Sequence, residues 1–220
     1  LHYCYFFIYF LGSVKKPRMV AYNQAIVSKQ KRRVMKIEDK SKLLFIGDSI
    51  TDCGRARPVG EGRGDAYGNG YVALINAWFG AVHPNKQIRI INMGTSGNTV
   101  KDIKQRWQTD VFDIKPDWIS IMIGINDVWR QFDLPLQTER HVLLEEYSYI
   151  LEDLVKNTIQ KVDGIILMTP YLIEPNKNEP MRSMMDTYGN AVKNIANKYK
   201  TLFIDTQEAF DKVLKHIHPM

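Results

Sequence analysis

Cysteine is nearly absent. Cys4 and Cys53 are the only two in 220 residues, too few for a disulfide framework. No Cys/His cluster has zinc spacing and no acidic loop has the calcium pattern, so neither a metal nor another cofactor is expected. Long apolar runs are also lacking. Leu1 to Leu11 is aromatic and apolar but covers only eleven positions, against the roughly 20 needed to cross a bilayer. With no basic segment before it and no small-residue cleavage site after it, it does not read as a secretory signal. A short membrane-surface anchor, followed by Lys15, Lys16 and Arg18, is the less favoured alternative. Internal repeats and low-complexity segments are missing as well.

The net charge of +6 would suggest a nucleic-acid partner if it were spread over a folded surface. It is not. Nine Lys or Arg against two acids fall within residues 1–40, leaving 21 basic and 22 acidic residues over 41–220. The larger part is close to neutral, and no nucleic-acid partner is expected. At 45% hydrophobic and 25% charged, the chain suits one globular domain with a sizeable core. Met35 directly precedes an ordinary domain start, Lys36-Ile37-Glu38-Asp39-Lys40. Residues 1–34 are therefore read as a non-domain extension, upstream sequence included by an early assigned start, and 35–220 as the domain.

What is present is a regular alternation of strand and helix. Apolar runs at 43–46, 88–91, 118–123, 164–169 and 201–204 read as five strands. Between them, 70–82, 99–108, 140–160 and 181–199 carry helical periodicity, and 207–215 starts another helix. This pattern predicts an α/β fold, a parallel sheet between two helical layers, with all strand carboxyl ends on one edge. The stretch 52–69 holds Gly60-Glu61-Gly62-Arg63-Gly64. It neither directly follows a strand nor opens a helix, so it is read as a mobile loop and not a phosphate cradle. Residues 171–180 are expected as a loop over the pocket.

Three strands end in small or polar clusters. Gly47-Asp48-Ser49-Ile50-Thr51-Asp52 follows the first, Asn92-Met93-Gly94-Thr95-Ser96-Gly97-Asn98-Thr99 the second, and Gly124-Ile125-Asn126-Asp127 the third. Ser49 is the candidate nucleophile. Taken singly, Ser49 reads equally as a helix cap, Gly97 as a turn glycine and Asn126 as a cap; their placement after successive strands favours chemistry. Cys53 is read as a small packed side chain. Trp129 is either a sugar-stacking ring or core.

The triplet resembles the SGNH (GDSL-type) hydrolase family. The longer runs at 47–55 and 124–130 look most like its bacterial intracellular acetylxylan esterases. The resemblance covers about residues 35–220. It implies a three-layer α/β/α fold with a five-stranded parallel sheet of flavodoxin-like type. It also implies Ser49 as nucleophile, with the N–H groups of Ser49 and Gly97 and the Asn126 side chain as oxyanion donors. The family's Asp-x-x-His block is not found. Gly80, Thr138, Val213 and Lys215 stand three positions before His83, His141, His216 and His218. The catalytic Asp and His are thus absent from this chain, which reads as lacking its final helix; Asp205 reads as a cap for the last helix present. By resemblance, the expected function is a cytoplasmic esterase that removes acetyl groups from xylo-oligosaccharides. Its partner would be a small acetylated sugar, and relatives imply a homo-oligomer. A lysophospholipase or thioesterase of the same fold, and an inactive remnant or sugar-binding module, are the competing readings. If residues 31–34 are a ribosome-binding site read as codons, sequencing of the coding DNA will show AGG at Arg32 and Arg33; CGN codons there would end that idea.

Overall fold

A computed structural model of the chain describes residues 35–217. The expectations for Leu1 to Leu11, for the rest of the extension and for His218 lie outside the described residues. Five strands form one parallel sheet in the order β2-β1-β3-β4-β5. They are β1 Lys42–Gly47, β2 Arg89–Asn92, β3 Trp118–Met122, β4 Gly164–Met168 and β5 Leu202–Ile204. The helices are α1 Ser49–Asp52, α2 Tyr71–Val82, α3 Val100–Gln105, α4 Ile125–Asp133, α5 Leu144–Thr158, α6 Pro180–Tyr199 and α7 Thr206–Leu214. The expected α/β architecture is what the chain adopts. Among the described residues, no helix is long and apolar enough to cross a membrane.

β1 and β3 read as apolar runs, interrupted in β3 only by the buried Ser120, because both of their faces are covered. Leu44 and Ile46 point into a large core with Ile119, Ile121, Leu167 and the inner sides of α3 to α6. Leu43, Phe45, Ile90 and Trp118 point the other way, against Val72, Ile75 and Phe79 of α2. The alternation is the strand period of two, with each residue type apolar on both sides. Register pairs Phe45 with Asn92 and Gly47 with Met122, so β1, β2 and β3 finish side by side. The chain leaves β1 toward β2 and then returns past β1 to β3. The crevice lies at that reversal.

Several local expectations change. The helix expected from 140 begins at Leu144, because the Val142 carbonyl is taken by the Tyr188 hydroxyl at 2.6 Å and draws the incoming chain out straight. α3 ends at Gln105 and is followed by a wider turn over Gln108–Phe112. α4 was not anticipated: with nine residues and few apolar ones, its pattern is too short to show. The 52–69 stretch, expected to be mobile, is pinned. Gly60 and Asn92 exchange two backbone hydrogen bonds at 3.0 and 2.9 Å, which also covers the outer edge of β2. Arg55, buried, donates to the carbonyls of Gly94, Ala56 and Pro58. The 171–180 loop is tied to α6 and α7: Leu172 N–H donates to the Gln207 side chain at 2.8 Å, and Arg182 donates to the Glu174 carbonyl.

Ile121 is buried in the central strand. Ile121→Ala is expected to cost about 2–5 kcal/mol. Leu136→Ala, at a side chain 94% exposed, should stay within about 0.5 kcal/mol. Urea unfolding with an unchanged slope distinguishes the two.

Candidate active site

Ser49 stands at the end of β1 as the first residue of a single helical turn. It is not the cap. Asp48 is, with its carboxylate accepting from Ile50 N–H at 2.9 Å. The turn closes at Cys53, whose backbone lies in the left-handed region and whose N–H donates to the Ser49 carbonyl at 3.0 Å. Ser49 itself is exposed while Asp48, Thr51 and Asp52 around it are buried. Cys53 packs as expected, its sulfur 3.4 Å from the Ile50 carbonyl; burial pushes its thiol up, and the nearby Asp52 and Asp48 add to this.

The segment after β2 lies directly against this turn. At Gly94 a Cβ would stand 2.2 Å from the Asp52 nitrogen, so no larger residue fits. Asn92, fully buried, donates to the carbonyls of Thr51 at 2.7 Å and Tyr67 at 2.9 Å and accepts from Gly94 N–H at 2.9 Å. The Asp52 carboxylate accepts from both the N–H and the hydroxyl of Ser96, at 2.9 and 3.0 Å, and from Arg57 at 2.6 Å. Ser96-Gly97 is thereby held one turn from Ser49. Gly97 is exposed with φ +82°, and a Cβ there would meet nothing within 4 Å. Its backbone conformation, more than crowding, demands glycine.

Asn126 is the second residue of α4, which Gly124 caps at φ +133°. Asn126 is buried and donates one amide hydrogen to the Asn98 carbonyl at 2.9 Å, which joins the third strand end to the loop carrying Gly97. Asp127 beside it accepts from Val100 N–H at 3.0 Å and so links α4 to the start of α3. Thr99 caps α3 in a box with Asp102. Burial pushes the carboxyls of Asp48 and Asp127 up to about 7. For Asp52 burial pulls the same way, but the bonds from Arg57 and Ser96 outweigh it and hold the group at about 2.

Hydrogen bonds from Ser96 to Asp52 and from Asn126 to the Asn98 carbonyl therefore tie together at the rim the segments that carry Ser49, Gly97 and Asn126. The described histidines stand apart from it. His83 packs edge-on against Trp78 at 4.9 Å, His141 pairs its ring with the Leu134 carbonyl at 2.9 Å, and His216 is exposed near the end of α7. Asp205 caps α7, accepting from Glu208 N–H at 2.8 Å, as expected. Among the described residues, no group of three His, Cys, Asp or Glu could hold a metal ion. Trp129 is 48% exposed with the Arg130 guanidinium 6.0 Å from its ring, so it is a surface residue and not part of the core. Sequence reasoning missed Asp52, Asn92 and Asp127. Asp52 sits three residues after Ser49, but its partner is 44 positions away and no local pattern announces it.

A doubly wound sheet with a polar rim at its reversal point is the layout of an α/β enzyme. The chain belongs to the GDSL-like lipase/acylhydrolase family, whose model matches residues 45–219, and it is by family a carboxylic ester hydrolase. It is 59% identical over 185 residues to an acetylxylan esterase of Geobacillus stearothermophilus, covering 84% of each chain. A lipoprotein of Bacillus subtilis, YqeF, is 33% identical over 73 residues, covering 33% of this chain and 30% of that one. The solved structure of the Geobacillus esterase, Axe2, superposes with a TM-score of 0.83 over 84% of both chains. An α/β hydrolase from the Lake Arreo metagenome does so at 53% identity, with the same score, over 84% of this chain and 86% of its own. Three Axe2 structures are described as catalytic mutants, with a serine, an aspartate or a histidine replaced by alanine.

The Asp52 clamp should register in the pH dependence of stability. Its pKa falls from an unfolded value of 3.8 to about 2, so its contribution is present above about pH 4 and is lost as pH falls through about 2. Asp52→Asn is expected to lower stability at pH 7 by an amount on the order of 1–2 kcal/mol that shrinks toward pH 2. Urea unfolding of both proteins at pH 7, 4 and 2 measures it.

Proposed function

We propose that the chain is an SGNH-type serine esterase that removes acetyl groups from carbohydrate esters, with acetylated xylo-oligosaccharides as substrates and an acyl-enzyme on Ser49. The observation that carries the reading is the single hydrogen-bonded rim joining Ser49, Gly97 and Asn126 in a chain 59% identical to an acetylxylan esterase.

The hydroxyl of Ser49 attacks the acetyl carbonyl carbon. As the C–O bond forms, negative charge develops on the carbonyl oxygen. The N–H groups of Ser49 and Gly97 and the second amide hydrogen of Asn126 are the donors assigned to it. Pre-set donors matter here because they stabilise charge that exists only in the transition state. Breakdown releases the sugar hydroxyl, with the proton from Ser49 delivered to the leaving oxygen. Water then attacks the acetyl-enzyme to release acetate. The imidazole that would carry these protons is not among His83, His141 and His216, all of which have other surroundings. Trp129, exposed three positions beyond Asn126 on α4, suits a sugar ring.

The same reading assigns the hydrolase domain to residues 35–220, supported by the continuous core and by the family match over 45–219. It places the protein in the cytoplasm, where an unpaired Cys53 is chemically at ease, and it includes assembly into a homo-oligomer.

In a full-length version that also carries the family's Asp-x-x-His block, acetate release from acetylated xylo-oligosaccharides should fall by at least about 10³-fold in Ser49→Ala. Asn126→Ala should lower kcat by about 10²–10³-fold. A series of nitrophenyl esters is expected to favour acetate over long acyl chains. Undiminished acetate release by Ser49→Ala overturns the nucleophile, and preference for long chains overturns the substrate class in favour of a lysophospholipase or thioesterase.

A further inference from the structure

Arg106 touches the ends of two strands and the loop that joins them to the third. It is the residue that closes α3, and its planar guanidinium faces inward, largely buried. Nη2 donates to the Gly47 carbonyl at 3.1 Å, one residue before Asp48-Ser49. Nη1 donates to the Met93 carbonyl at 2.8 Å, where β2 gives way to the Gly97 loop. Nε donates to the Asn98 side chain at 2.7 Å, beside Gly97. The Asn98 carbonyl in turn receives the Asn126 amide at 2.9 Å. Asp110, one turn further along, balances the charge through Nη1.

The fork has a fixed base. Trp107, next in the chain, is buried and its indole N–H donates to Thr158 of α5 at 3.1 Å. The guanidinium is thus based on the helical layer that α3 shares with α5 and reaches back to the rim. Three donors in one rigid plane meet three acceptors, one on the segment that carries Ser49 and two on the loop that carries Gly97, whose Asn98 carbonyl receives the Asn126 amide. A flexible ammonium cannot reproduce that arrangement.

We infer that Arg106 is a positioning residue for the oxyanion site: it sets the distance between the Ser49 turn and the Gly97 loop and, through Asn98, the aim of the Asn126 amide. The inference rests on the reading of those three residues given above. A donor aimed at the transition state has little to do with ground-state binding, so misplacing it lowers kcat and leaves KM nearly alone.

The test is steady-state acetate release by Arg106→Lys, Arg106→Gln and Asn98→Ala in the same full-length version used for Ser49→Ala. Rates are expressed per active site, counted by endpoint labelling with a fluorophosphonate, and thermal melts are run alongside. Expected is a drop in kcat per site of about 10–10²-fold for the Arg106 variants, with KM changed by less than about 3-fold. Asn98→Ala, which removes only one acceptor and keeps the backbone carbonyl, should lose kcat in the same sense by a smaller factor. Addition of methylguanidinium to Arg106→Ala should restore part of the rate. If the variants simply have fewer labelled sites and lower melting temperatures, with kcat per site at the parent value, Arg106 is structural only and the inference is overturned. Should the Arg106 variants fail to fold, a folded Asn98→Ala with parental kcat overturns it equally. Ser49→Ala in the same assay separates the two levels: activity retained there removes the nucleophile, whereas activity lost there with Arg106 variants unaffected removes this inference alone.

Discussion

A carboxylate, Asp52, holds the rim together. The helical turn that begins at Ser49 is four residues long, far below the length at which a helix is stable by itself. It exists because other groups satisfy it. Asp48 caps it from the front, Asn92 takes the Thr51 carbonyl from beside it, and Asp52 at its end accepts two hydrogen bonds from Ser96. The last of these also fixes the loop that bears Gly97. One buried charge therefore orders two segments of the rim, and Arg57, half in solvent, keeps that charge paired.

The acids around the rim divide by environment. Asp52 is held ionised by donors from Arg57, Ser96 and Arg55, whereas Asp48 and Asp127, also buried but with fewer partners, are pushed up to about 7. Oδ2 of Asp127 has no partner among the described residues. The two groups of acids oppose one another in linkage. Asp52 favours the fold once the pH exceeds about 4, while Asp48 and Asp127 favour it at low pH and withdraw that support as pH rises toward about 7. Polar groups with charge on this scale are placed where the sheet reverses direction, and the apolar layers on both sides keep water from competing with them.

How much was legible depended on the range of the interaction. Leu43 to Ile46 and Trp118 to Ile123 read as buried strands because every position but Ser120 is apolar, and β1 and β3 are buried there. Asp205 was readable as a cap since its partner lies three residues on. Ser49, Gly97 and Asn126 could be nominated from the small and polar residues that follow three strands. The start of α5 could not be placed, since the hydroxyl that claims the Val142 carbonyl belongs to Tyr188, 46 positions later. The pinning of 52–69 was hidden for the same reason: glycines suggest freedom, and the bonds from Gly60 to Asn92 and from Arg55 to Gly94 become visible only when β2 is laid beside that loop. Trp129 was ambiguous because the face it takes on α4 depends on what packs against that helix.

By itself the sequence determined the alternation of strand and helix, the parallel sheet and the identity of the three residues that end up at its edge. Those follow from local rules: apolar runs bury, and crossover connections bring every strand carboxyl end to the same side. Only the tertiary structure decided which neighbours hold that edge in place, namely Asp52 on Ser96, Asn92 on Thr51, and Arg106 across Gly47, Met93 and Asn98. The physical reason is that hydrogen bonds a few ångströms long join residues that are tens of positions apart, and their strength depends on distance and angle in the folded chain, for which one-dimensional spacing carries no signal.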